Sequence, residues 1–199
     1  MKTFETIIEK LPNNMKKKLE QLKCMRERPD FHPEDNVFIH IKTVTERCIE
    51  FGDPDMIMAG IFHDIHKLDT MKINPKTGWP TSPGHDKWAR KTIENDEGVR
   101  AFISDFSANP DTVAGICGQH MRIHQIGKMR EFKRKQFLEF PFFPKLVAFG
   151  VLDDMLVDDA TVIKNAKSKF KIAVESQMNN ELNPEITGKY SKDRNEKKK

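Results

Sequence analysis

Histidine is concentrated in one part of this 199-residue chain. Six of the seven histidines lie between His40 and His124, and several of them stand next to carboxylates or at the ends of apolar segments. Neutral imidazole and carboxylate are the ligands that borderline divalent metals prefer in proteins. The sequence therefore predicts a divalent-metal centre.

The pair His63-Asp64 is the clearest single element of this centre. Residues 61–67 read IFHDIHK, so an apolar segment delivers a histidine and an aspartate side by side. A second apolar segment supplies His40, and a later one, VLDDM at residues 151–155, supplies an acidic pair. An acidic pair inside an apolar helix is costly to bury unless a cation or a partner neutralises it.

The elements that must position these side chains are predicted to be α-helices. Apolar residues recur at helical spacing, and cap signals stand at Asp35 or Asn36, at Asp53-Pro54 and at Asn109-Pro110. After an N-terminal segment interrupted at Pro12, helices are expected over about 36–52, 54–63, 85–95, 110–124, 128–140 and 145–163, with a loop over 70–84. Valine and isoleucine do not alternate with polar residues, so the fold class is expected to be all-α, a compact bundle of about six or seven helices.

Three regions are expected along the chain. Residues 1–30 form an N-terminal helical segment packed on the core, residues 31–182 form the metal-bearing domain, and residues 183–199 form a basic, disordered tail. Residues 188–199 carry a net charge of +4, which equals the net charge of the whole chain. The body is therefore close to neutral, and nucleic acid is expected to bind, if at all, through the tail.

Composition indicates a cytoplasmic protein. Cys24, Cys48 and Cys117 are odd in number and match no zinc or CxxC spacing, so they are expected to be free thiols in a reducing compartment. The N-terminus lacks the pattern of a signal peptide, and no uncharged apolar run approaches the length of a membrane span. We expect no membrane partner, and the oligomeric state is open.

The order of the candidate ligands resembles the H…HD…D signature of the HD-domain superfamily of metal-dependent phosphohydrolases. Residues 32–40, HPEDNVFIH, resemble the HPEG-then-histidine entry to the HD module of bacterial tRNA nucleotidyltransferases, and residues 59–67, AGIFHDIHK, resemble its AxLLHDIGK. Gly84-His85-Asp86 resembles its GHE, and His120 its later helix histidine. Too few residues precede His32 for a nucleotidyltransferase head, so polymerase activity is not expected.

The resemblance implies a set of metal ligands. It assigns His40, His63 and Asp64, with Asp154 preferred to Asp153 because Asp154 better matches the Ala-Asp position of the family. His85 and His120 would bind a second metal, as in a subset of the family; the alternative is that they are capping or surface residues at the mouth of a pocket. One or two ions per chain are expected, and Mn, Fe, Co, Ni or Zn suits the histidine-rich set better than Mg alone.

The resemblance also implies roles around the metals. Asp64 and Lys67 would be catalytic, and Lys67 would contact substrate phosphate, although Lys67 also fits a solvated cation at a helix end. Arg130 and Arg134 belong to a basic cluster before the last ligand-bearing helix, which would bind phosphate or simply be solvated. His66 stands where the family usually has glycine, which would permit a left-handed backbone. His124, one turn after His120, is expected at the surface.

The predicted activity is hydrolysis of a phosphate ester of a small nucleotide by metal-activated water. A small substrate is favoured because the chain offers no second domain to grip a polymer. The alternatives are a cyclic-nucleotide or RNA-end phosphodiesterase, and a non-enzymatic HD module that binds nucleotide or nucleic acid.

Overall fold

The structure, a computed structural model, describes residues 3–27, 36–154 and 158–186. It is all-α, as predicted, apart from one short hairpin. Ten α-helices lie within the described residues: α1 (Phe4–Ile8), α2 (Asn13–Gln21), α3 (Val37–Phe51), α4 (Pro54–Phe62), α5 (His85–Asn95), α6 (Glu97–Asp105), α7 (Pro110–Ile123), α8 (Glu131–Leu138), α9 (Phe143–Leu152) and α10 (Asp159–Met178). Short 3₁₀ turns follow α2 (Leu22–Cys24) and α7 (Ile126–Lys128).

The helices outnumber the predicted six or seven for three reasons. The N-terminal segment forms two helices, α1 and α2, which are separated at Pro12, the residue directly before α2. Helix α6, capped by Asp96, was not predicted. The predicted final helix over 145–163 is two helices, because α9 ends at Leu152 and Asp158 caps a new helix, α10.

Helices α3 and α4 form as their cap residues predict. The Asn36 side chain accepts hydrogen bonds from the first turn of α3, and Gly52 closes that helix with φ of 94°. Asp53 caps α4, and Pro54 occupies its first turn. Every residue of α4 from Asp55 to Phe62 is buried, which agrees with its apolar composition on all sides.

The core joins the N-terminal helices to the rest of the bundle. Helix α9 packs on α10, α5 on α7, and α3 on α4, with α7 lying between α4 and α9. The N-terminal helices bury an apolar stripe that includes Phe4, Ile7, Leu11, Met15 and Leu19. Burial continues past the predicted start of the tail, since Ile186 is fully buried.

The predicted loop over 70–84 contains a small antiparallel hairpin. Strand β1 (Lys72–Ile73) pairs with β2 (Pro80–Thr81) in the register Lys72 to Thr81. The chain then turns at Gly84, with φ of 81°, and enters α5 directly at His85. No helix among the described residues is long and apolar enough to cross a membrane.

Candidate metal centre

Six buried side chains that could bind a metal converge where five chain segments meet. His40 lies in the first turn of α3, His63 caps the end of α4 and Asp64 follows it. The other three lie on later helices. His85 is the first residue of α5, His120 lies in the last turn of α7, and Asp153 caps the end of α9. Their side chains are at most 8% exposed. The helix ends therefore bring together residues that lie up to 113 positions apart.

The first group consists of His40, His63 and Asp153. The Nε2 atoms of the two histidines are 3.2 Å apart. Asp153 Oδ1 lies 3.0 Å from His40 Nε2 and 3.5 Å from His63 Nε2. Asp64 Oδ2 completes the group, at 3.4 Å from His40 Nε2 and 3.2 Å from His63 Nε2.

The second group consists of Asp64, His85 and His120. Its Asp64 oxygen is Oδ1, which lies 3.0 Å from His85 Nε2 and 3.6 Å from His120 Nε2. The Nε2 atoms of the two histidines are 3.2 Å apart. The two oxygens of Asp64 therefore face two separate histidine pairs, as a carboxylate that bridges two cations would.

Backbone carbonyls fix the tautomer of three of these histidines. The Nδ1 atoms of His63, His85 and His120 lie 2.9, 2.6 and 2.7 Å from the carbonyl oxygen three residues earlier in the chain. Because a carbonyl oxygen only accepts, each Nδ1 donates, and each neutral ring presents the lone pair of Nε2 to the cluster. Such hydrogen bonds orient histidine rings in metal sites.

One oxygen of each carboxylate in the cluster also lacks a hydrogen-bond donor among the described residues. Asp64 Oδ1 and Asp153 Oδ1 are buried, and no hydrogen bond satisfies either atom among the described residues. Acceptor atoms gathered at 3.0–3.6 Å repel one another unless positive charge lies between them. The donor set, imidazole nitrogen with carboxylate oxygen, fits borderline divalent cations.

The electrostatics of the cluster also call for positive charge. Burial disfavours a charged His63 ring, but Asp64 and Asp153 outweigh burial and raise the pKa of His63 to about 10. Burial also disfavours the two carboxylates, yet the imidazoles around them, with Lys67 beside Asp64, hold both pKa values well below the usual range. Two buried carboxylates thus stay charged and require either protons on the rings or cations.

Lys67 is buried against carboxylates rather than solvated at a helix end. Its Nζ lies 2.7 Å from Asp64 Oδ2 and 2.5 Å from Glu27 Oε1, and the residue is 7% exposed. Burial opposes its charge, but Asp64 and Glu27 raise the pKa of Lys67 above its ordinary value. Glu27 was missed by the sequence analysis, because it lies 40 positions before Lys67 with no motif around it.

The structure groups Asp153, and not the preferred Asp154, with His40 and His63. The carboxylate that lies with His40 and His63 belongs to Asp153, which keeps helical backbone angles at the end of α9. Successive side chains diverge by about 100° on a helix, so only one of the pair points at the cluster. The backbone carbonyl of Asp154 instead accepts a hydrogen bond from Arg47. His124, expected at the surface, places Nε2 2.9 Å from Asp153 Oδ2 and is 21% exposed.

Other predicted site residues lie apart from the cluster. Arg130 is exposed before α8, and Arg134 lines a surface groove with Glu181 and Leu182. Within the part of the chain that the structure describes, no hydrogen bond or ion pair joins either arginine to the six ligand groups. His32 and the tail over 187–199 lie outside the described residues. At His66 the backbone is not left-handed, so this turn does not use the conformation that glycine would permit.

Comparison with known proteins finds distant, partial relatives. Two proteins named Multifunctional CCA protein, from Stenotrophomonas maltophilia strains K279a and R551-3, are each 24% identical over 115 residues. A protein of the same name from Xylella fastidiosa strain 9a5c is 20% identical over 112 residues. These alignments cover 55–57% of this chain but only 25–27% of the relatives, so the chain spans about a quarter of their length. No family model and no solved structure matches the chain.

Proposed function

We propose that the chain is a metal-dependent phosphohydrolase of the HD type that binds two divalent cations. His40, His63, Asp153 and Asp64 Oδ2 would hold one cation, and His85, His120 and Asp64 Oδ1 the other. One observation carries the proposal: the two oxygens of Asp64 face two separate histidine pairs, and Asp64 Oδ1 is buried with no hydrogen-bond donor among the described residues.

The protein groups would prepare the site for hydrolysis. When bound, two such cations activate water as a nucleophile and stabilise charge on a phosphate ester. Lys67 and Glu27 hold Asp64 in the orientation that serves both histidine pairs. His124 would hold Oδ2 of Asp153 in the same way, and its side chain, at 21% exposure, is more accessible than that of Asp153, at 8%. We assign Asp64 and Lys67 to the catalytic machinery on these contacts.

The substrate proposed is a small nucleotide, hydrolysed at a phosphate ester. The support is the motif resemblance to HD phosphohydrolases and the partial similarity to proteins named Multifunctional CCA protein. That name also favours a second candidate, a phosphodiesterase acting on cyclic nucleotides or RNA ends. The three cysteines are free, which supports a cytoplasmic location.

The experiment is a nucleotide panel scored for released phosphate and for opened cyclic phosphodiesters. The protein would be assayed with Mn²⁺, Co²⁺, Ni²⁺ and Mg²⁺ added separately. Asp64→Asn is expected to lose activity by more than about 100-fold, since even partners outside the metal shell cost 10–100-fold. Asp154→Asn is the matched control and should retain activity. Metal binding without turnover of any nucleotide would contradict the hydrolase and favour a binding module.

The predicted phosphate contacts of Arg130 and Arg134 stay predictions. Kinetics of Arg130→Ala and Arg134→Ala test them, because loss of a phosphate contact made in both ground and transition state raises KM without lowering kcat. An unchanged KM in both variants would assign these residues to a solvated helix surface.

A further inference from the structure

His66 replaces the glycine of the resembled motif with a fully engaged side chain. It is 3% exposed, and both of its ring nitrogens have partners. Nδ1 lies 2.5 Å from Asp69 Oδ2, and Nε2 lies 2.8 Å from Thr92 Oγ1. Because the Asp69 carboxylate accepts, Nδ1 donates to it, and Nε2 accepts a hydrogen bond from the Thr92 hydroxyl. The ring is thus fixed at both ends.

The partners of His66 belong to separate elements of the fold. Asp69 also receives the ammonium of Lys18 from α2, with Nζ 2.6 Å from Oδ2. Thr92 lies on α5, two turns after His85, and the indole of Trp88 on the same helix packs 6.0 Å from the His66 ring. The network therefore connects α2, the turn that carries Asp64, and the helix that carries His85.

This connection matters because it joins α5 directly to the turn that carries Asp64. Helix α5 packs against α7 and α6, whereas Asp64 sits on the turn that follows α4. The separation of Asp64 Oδ1 from His85 Nε2, 3.0 Å, depends on how α5 sits against that turn. Away from the ligand groups, the His66–Thr92 hydrogen bond spans this junction. A glycine at position 66 has no side chain and could not make this hydrogen bond between the Asp64 turn and α5.

We propose that His66 is a positioning residue that fixes α5 against the Asp64 turn and thereby sets the affinity of the second cation position. The inference rests on the proposed two-metal centre. His66 is too buried to meet substrate, so its influence passes through His85. The first cation position draws His40 from α3 and Asp153 from α9, and among the described residues no hydrogen bond of the His66 ring reaches either helix.

Variants of the hydrogen bond separate positioning from general stability. Thr92→Val removes the hydroxyl but keeps the shape, and Thr92→Ser keeps the hydroxyl. His66→Ala removes the ring. Loss of partners that orient metal ligands costs about 10–100-fold in affinity, so His66→Ala and Thr92→Val should each weaken the second position by roughly tenfold. Thr92→Ser should restore it.

The measurement is a Co²⁺ titration of metal-stripped protein, followed by visible absorption, which gives a Kd for each position. Thr70→Val is the matched control, since its hydroxyl bonds the backbone carbonyl of His66 and not the ring. The expected result is a raised ratio of second to first Kd in His66→Ala and Thr92→Val alone. An unchanged ratio in Thr92→Val, or equal weakening of both positions, would overturn the inference even where His66→Ala fails to fold.

The same titration keeps the two proposals apart. Two cations bound with an unchanged ratio in the variants would refute only the positioning role. Two cations bound with a raised ratio, but without turnover of any nucleotide, would refute the hydrolase and leave the positioning role standing. Wild-type protein that binds no Co²⁺ would refute both.

Discussion

The contact between α3 and α4 at Gly60 yields a quantitative prediction, because these helices carry His40 and His63. A Cβ at position 60 would lie 2.9 Å from Thr45 Oγ1 and 3.0 Å from Thr45 Cα. Backbone cannot yield as a flexible side chain can, and Thr45 is fully buried. In the Gly60→Ala variant, α3 and α4 must therefore separate by about half an ångström before the new Cβ and Thr45 reach an ordinary contact distance.

The magnitude follows from two opposing effects. Overpacking a core costs about 1–3 kcal/mol, and Ala favours the helix over Gly by about 1 kcal/mol. Because the clash includes backbone, we expect the upper part of the range and a net loss of about 1–2 kcal/mol. For a protein of this size that lowers Tm by roughly 2–8 °C.

Thermal unfolding followed by circular dichroism tests the prediction. Gly98→Ala is the control, since a Cβ there would meet only the Asp96 carboxylate, at 3.3 Å. Gly60→Ala should also show a smaller rise in Tm on addition of Co²⁺, because separating the helices moves His40 from His63. A Tm equal to or above that of Gly98→Ala would refute the close-packing argument.

Three further predictions concern the centre itself. Asp153→Asn should lose one bound cation while Asp154→Asn keeps both; the reverse result in metal analysis would restore the sequence-based preference for Asp154. Stripping the metal with a chelator should lower Tm, by roughly 5–11 °C for each position that was occupied at 100 times its Kd, and an unchanged Tm would argue against cation binding to the folded chain. Cation affinity should fall as pH falls from 8 to 6, because the raised pKa of His63 keeps its ring protonated below about 10 and the proton must leave before Nε2 can bind metal. Affinity that is flat over this range in a Co²⁺ titration would contradict that competition.

The sequence was most informative where several local signals agree. Helix α4 combines a cap, a first-turn proline and an apolar composition, and it ends at the predicted His63-Asp64 pair. His85 and His120 were predicted by motif alone, and the structure brings them together.

Other features depend on contacts that no local pattern encodes. The choice between Asp153 and Asp154 turns on where α9 ends, and a change of one residue rotates the side chain by about 100°. Glu27 meets Lys67 only through the packing of the N-terminal segment. The role proposed for His66 depends on Thr92, 26 positions later, so the sequence marked His66 only as a departure from the motif.

The central claim is that Asp64 bridges two cation positions, and the most direct test is the metal content of three purified proteins. Elemental analysis after reconstitution with Mn²⁺ or Co²⁺ should give two ions per chain for the wild type and one for His85→Ala, with none or one for Asp64→Asn. All three should keep their helical circular dichroism. A wild-type chain that retains no divalent ion, or an Asp64→Asn variant that still binds two, would contradict the account.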